Sequence, residues 1–143
     1  MDDKDIKKIV KIFKRDWAGN VGIHAHNNLG LALSNSVTAI KEGVNWVDST
    51  VMGMGRGAGN AQTEYIILEI EKFQKKFQNN LSLIKVINEY FNPLHKKYKW
   101  GINFYYYLAG KFRIHPTYIQ EMINIKLNDS EMIDGINPVS YTH

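Results

Sequence analysis

From Asp2 to Asp16 the apolar residues Ile6, Ile9, Val10, Ile12 and Phe13 recur at spacings of three and four, the stripe of an amphipathic helix that Gly19 and Asn20 should end. Residues 21–27, VGIHAHN, alternate instead. Val21, Ile23 and Ala25 point to one side and Gly22, His24 and His26 to the other, which predicts a short strand. Asn27 and Asn28 offer capping side chains for a helix from about Leu29 to Glu42, with Gly43 as its left-handed stop. A second strand, NWVDSTVMG, follows at the distance of a right-handed βαβ crossover, so the two strands should be parallel neighbours. The glycine-rich stretch GMGRGAGN, Gly53 to Asn60, then leads into helical periodicity over Ala61 to Phe77.

Beyond this point the alternation disappears. Leu81 to Phe91 reads as a helix broken by Pro93, Gly101 to Ala109 as an aromatic helix, and Pro116 as the opening of another. In this last region Trp100, Phe104, Tyr107 and Leu108 share a helical stripe that should be core, with His95 in a loop and His115 at a helix start. Residues 137–143, ending VSYTH, show no periodicity and read as a disordered or non-native tail. The divisions expected are therefore 1–78, an α/β unit, 79–136, a helical region, and 137–143.

Composition narrows the chemistry. The chain has 143 residues, whereas a complete eight-fold β/α barrel needs about 250. With no cysteine, thiolate metal sites and Cys nucleophiles are excluded, and a reducing cytoplasm fits. Neither a signal peptide nor an apolar run long enough for a membrane span is present in the sequence. The net charge of +4 is mild and scattered, so it does not by itself indicate nucleic acid. KKYKWGINFYYYLAGKFRIHPTY interleaves basic and aromatic residues as a stacking surface would, but packed aromatics with solvated lysines account for it better.

His24 and His26, at i and i+2 on a strand, project from one face and can reach one divalent ion; as a bare pair they are equally ordinary polar strand-end residues. Gly53, Gly55 and Ala58 satisfy the G-x-G-x-x-A form of a dinucleotide fingerprint, but the carboxylate that should end the next strand is missing, since Glu71 falls inside a helix. Asn60 either presents an amide oxygen to a site or caps the following helix. Asp48, at mid-strand, reads as a layer residue or ion-pair partner rather than a ligand.

Together these pieces are far more specific. The run HAHNNLGLALSNSVTAIKEGVNWVDSTVMGMGRGAGNAQTE, His24 to Glu64, resembles the metal-dependent aldolase and acyltransferase superfamily, which includes 4-hydroxy-2-oxovalerate aldolase, 3-hydroxy-3-methylglutaryl-CoA lyase and 2-isopropylmalate synthase; HAHNNLGLALSNS and GMGRGAGNA look most like the aldolase branch. The resemblance covers roughly residues 1 to 125 and implies the C-terminal part of a TIM barrel followed by helices. It implies His24, His26 and Asn60 as ligands of Mn or Mg, Asn60 directly or through water, and Asn28 and Arg56 as site-lining residues. The implied reaction cleaves a 4-hydroxy-2-oxo acid to pyruvate and an aldehyde through a metal-stabilised enolate, in a cytoplasmic enzyme that an aldehyde dehydrogenase partners in the bifunctional members. The family's Asp-Arg motif and its acid/base group are not found here, so no catalytic residue is assigned and the chain alone should be inactive. An incomplete barrel exposes strand edges and should be weakly stable or associate with other chains, as a homo-oligomer would. A related acyl-CoA lyase or 2-isopropylmalate synthase-like acyltransferase, and an amidohydrolase-type hydrolase with further strand-end ligands, are the alternatives.

Overall fold

The computed structural model describes residues 1–140. Helix α1, Asp3–Asp16, starts where Asp2 accepts hydrogen bonds from the amides of Lys4 and Asp5 while the Asp5 carboxylate takes the Asp2 amide, a reciprocal cap. The Asp5 amide, ahead of that of Lys4, holds the Asp2 carboxyl below its ordinary pKa. Strand β1, Gly22–His24, pairs parallel with β2, Trp46–Asp48, and helix α2, Ala32–Lys41, makes the crossover between them. Gly22 faces Trp46, Ile23 faces Val47 and His24 faces Asp48. Helix α3, Thr63–Gln74, closes the α/β part, and every later element among the described residues is helical.

Several boundaries differ from the sequence expectation. Helix α2 begins at Ala32 rather than Leu29, because Gly30 turns the chain through a positive φ of 70° and the Asn27 side chain accepts the Ala32 amide from outside the helix. Asn28 caps nothing. The second strand is shorter than its alternation suggests: past Asp48 the chain enters a 3-10 turn, Val51–Gly53. Pro93 does not break the helix that precedes it. Helix α4, Leu81–Val86, continues through a π-turn at Ile87–Phe91 into α5, Asn92–Tyr98, and the wider turn accommodates a residue that cannot donate an amide. His95 therefore lies in a helix, not a loop.

Helix α6, Phe104–Lys111, starts at Phe104 rather than the expected Gly101 and takes its cap from the Asn103 side chain; α7, Pro116–Asn124, takes its cap from His115, the residue expected at a helix start. Helix α8, Asp129–Ser140, is an element the sequence reading missed. It carries the chain through the segment expected to be a non-native tail, of which residues 141–143 lie outside the described part.

Ile23 and Val47 pack with Ala25, Ala32, Ala61 and Ile66 on one face of the sheet, so the strand alternation is realised. The other face is bare. Gly22, His24, His26 and Asp48 are exposed, and Trp46 is 65% exposed. A second cluster joins α6, α7 and α8 through Tyr106, Ala109, Ile114, Ile119, Met132 and Ile136. Here the stripe expected from spacing shifts by a residue: Trp100 is buried, but Phe104 is 65% exposed and Tyr106 takes the inward place given to Tyr107. A basic aromatic stacking surface is thereby reduced, since Trp100 and Tyr106 are core. Ile119 has no exposed surface, so Ile119→Ala should destabilise the chain by about 2–5 kcal/mol, read as a lower urea midpoint at unchanged slope.

Candidate metal centre

Two imidazoles converge because the strand period is two. His24 and His26 leave β1 and its continuation on the same face, with ring centroids 4.8 Å apart and planes at 82°. Register then brings in a carboxylate: Asp48, paired with His24 across the ladder, places Oδ2 3.4 Å from His24 Nδ1. With the carboxylate on the Nδ1 side, Nε2 is the nitrogen of that ring that would be presented to an ion. Asp48 ends its strand and lies beside the His24 ring.

Asn60 arrives from the other direction. The glycine-rich segment folds back so that His26 and Asn60 form an antiparallel bridge, the Asn27 amide bonds Gly59 O at 2.9 Å and the Ala61 amide bonds Ala25 O at 3.1 Å. Asn60 does not cap α3, whose N-cap is Gln62 without a side-chain bond. Its Nδ2 donates to Met54 O at 3.2 Å, which fixes the orientation of the amide and leaves Oδ1 buried with no partner. Thr50 Oγ1 is also buried and unpartnered. Both residues line a cavity of about 420 Å³ together with His24, Val47, Asp48 and Ser49. Buried polar atoms without partners are uncommon in native proteins, and two of them on residues that line a cavity rimmed by an imidazole and a carboxylate fit a cationic occupant.

His26 and Asn28 share with His24 an adjoining cavity of about 310 Å³. Arg56 does not: it lines a different cavity, on the far side of the glycine-rich segment. Among the described residues no three His, Cys, Asp or Glu side chains form a cluster placed to hold an ion, so the set present is two imidazoles and an amide oxygen. Glu71 is buried on α3 and accepts from the Gln78 amide and Asn80 Nδ2, a structural role unrelated to a nucleotide ribose.

The helical region grips the loop that carries Asn60. The buried Trp100 indole donates to Met52 O at 2.9 Å, the Gly101 amide donates to Gly57 O at 2.9 Å, and the Tyr106 ring lies against Gly57. Burial raises the Tyr106 phenol above its ordinary pKa, and its hydroxyl donates to Gln120 at 2.7 Å. His95 Nε2 is 2.8 Å from Trp100 O, which holds this turn. Neither Thr50 nor the Trp100 contact was suggested by sequence, since each depends on a loop returning to the sheet.

The sequence profile of the HMGL-like family matches residues 1–90. The chain belongs to the HMGL-like family. A 4-hydroxy-2-oxovalerate aldolase from Carboxydothermus hydrogenoformans is 39% identical over 88 residues, covering 62% of this chain and 26% of that protein. A second, from Thermomicrobium roseum, is 47% identical over 68 residues, covering 48% of this chain and 19% of that protein. The chain thus spans about a quarter of the length of the curated relatives it matches. In structure it resembles the N-terminal domain of a candidate aldolase from Bacteroides vulgatus, with TM-score 0.79 and 35% identity, over 86% of this chain and 41% of that one. That resemblance extends past the α/β part into the helices. No helix among the described residues is long and apolar enough to cross a membrane.

Proposed function

We propose that this HMGL-like chain carries the histidine and asparagine ligands of a divalent-metal-dependent carbon–carbon lyase, one that cleaves a 4-hydroxy-2-oxo acid to pyruvate and an aldehyde. The observation that carries the reading is the unpartnered Oδ1 of Asn60, locked in orientation by Met54 O, on a residue that lines one cavity with His24. His24, His26 and Asn60 would hold a Mn or Mg ion. When bound, the ion supplies positive charge opposite the oxygen on which negative charge develops as the carbon–carbon bond breaks.

The chain's own residues do the positioning. Asp48 orients the His24 ring, and the glycine-rich segment presents Asn60 beside His26. Asn28 lines the space in which substrate would lie against the histidines. All three ligands are neutral, so the anionic ligand and the proton-transfer group are supplied by barrel strands outside these residues. The exposed inner face of β1 and β2 is where those strands would close the site, and copies of the chain or a dehydrogenase partner belong to the same reading as its partners. Cytoplasmic placement belongs to the same reading.

A related acyl-CoA lyase or 2-isopropylmalate synthase-like acyltransferase would use the same ligands with a different acceptor pocket. An amidohydrolase-type hydrolase needs further strand-end ligands, and His95 and His115 are instead committed to Trp100 O and to the cap of α7. The test is a coupled pyruvate assay with 4-hydroxy-2-oxopentanoate and Mn, beside calorimetric titration of the chain with Zn, Mn and Mg. Neutral imidazole sites favour Zn over Mn and Mg. We expect Zn binding that Asn60→Ala weakens, no measurable Mg binding and no pyruvate. Turnover by the chain alone refutes the need for groups from outside it, and unchanged Zn affinity in both Asn60→Ala and His26→Ala removes the metal centre.

A further inference from the structure

The glycine-rich segment has a second face. Met54 to Gly57 form one wall of a separate cavity of about 650 Å³, closed on the other side by the turn after α5 and by α7. Three cationic side chains, Arg56, Lys97 and Lys99, line it, and no aspartate or glutamate does. None of the three enters an ion pair among the described residues; Lys97 Nζ lies 5.0 Å from the Tyr98 ring centroid. Uncompensated positive charge on one cavity wall raises the local concentration of anions.

The backbone gives an independent indication. The amides of Gly55, Arg56 and Gly57, all on residues that line the cavity, donate to no group among the described residues, although Gly57 is buried. Native proteins pair nearly all buried amides, so the buried Gly57 amide without an acceptor, next to two more unpaired amides on the same cavity wall, marks a place where a ligand's oxygens belong. Gly57 has φ of 64°, and a left-handed residue within a tight loop turns successive amides toward a common concave side, the arrangement that cradles oxyanions. Tyr106, itself a lining residue of the cavity, fills the space a side chain at 57 would need and holds the loop in this shape.

Three amides and three cations offer more donors than the two oxygens of a single carboxylate can use, whereas a tetrahedral oxyanion presents three or four oxygens. The cavity is also far larger than a bare ion, and Tyr98 and Trp100 give it aromatic walls. We infer that this cavity binds the phosphate group of a small organic phosphate. The site is distinct from the metal centre: none of its residues is a ligand there, and the two share only the glycine-rich segment between them.

Calorimetric titration of the full chain with inorganic phosphate and with pyrophosphate at low ionic strength tests the inference. Saturable binding is expected, weakened by added NaCl, with acetate at least about tenfold weaker than phosphate. Arg56→Gln and the double variant Lys97→Gln/Lys99→Gln should each lose about tenfold or more, the scale of a charge-assisted hydrogen bond. These side chains are exposed, so the variants should melt like the parent. His24→Ala should bind phosphate unchanged, which separates this site from the metal reading. Absence of saturable phosphate binding, acetate binding as tightly as phosphate, or undiminished binding by the glutamine variants would each overturn it.

Discussion

His24→Ala is expected to weaken Zn binding by the chain at least about a hundredfold, and Asp48→Asn to weaken it by about ten- to a hundredfold. The difference follows from what each change removes. His24 is the side chain common to both cavities at the sheet, so its loss takes away a donor outright and leaves His26 and Asn60 without a third partner. Asp48→Asn keeps the shape and leaves His24 in place, but replaces the carboxylate 3.4 Å from Nδ1 with an amide that no longer favours the tautomer with Nε2 free. Isothermal titration of the parent and both variants with ZnCl₂ reads this order directly. Equal affinities in parent and Asp48→Asn would show that the pair plays no part in holding the ring, and unaltered binding in His24→Ala would remove that residue from the site.

Gly59→Ala is expected to cost more than about 2 kcal/mol of stability and to abolish the Asn60 contribution to Zn binding, because one atom would disturb both the backbone and the ligand. Gly59 has φ of 75°, a conformation that costs a residue with a side chain about 1 kcal/mol or more. A Cβ there would also collide with the Gly53 carbonyl oxygen, a backbone atom that cannot swing aside. That same oxygen accepts the Asn60 amide at 3.1 Å, so relief of the clash moves the residue that presents Oδ1. Thermal melting together with Zn titration provides the check. A variant that melts and binds like the parent would mean that the loop has another way to carry Asn60.

Both expectations depend on a sheet face that is bare in this chain. The apolar side of β1 and β2 is covered by helices, but Trp46, His24, His26 and Asp48 look outward to solvent. In α/β architectures parallel strands are buried on both faces, and a two-stranded parallel sheet gains little stability by itself. The described fold is therefore held mainly by α1 and α2 packing behind the strands and by the separate cluster of α6, α7 and α8. Circular dichroism melts with sedimentation would show whether this arrangement stands as a monomer.

Local periodicity was enough to read the α-β-α-β-α order, the parallel pairing and the shared face of His24 and His26, because each depends on spacing within one element. The motif from His24 to Glu64 carried the family resemblance for the same reason, being a continuous run. What depends on segments meeting was decided only in three dimensions. Asp48 reaches His24 through strand register, Asn60 reaches His26 because the glycine-rich segment turns back, and Arg56 ends on the opposite side of that segment. The inward place of Tyr106 instead of Tyr107, and the passage of a helix through Pro93, were likewise settled by packing and by a π-turn rather than by propensity. Spacing along a chain specifies which face a side chain takes, whereas a loop's return and a helix's rotation are set by the neighbours it must pack against.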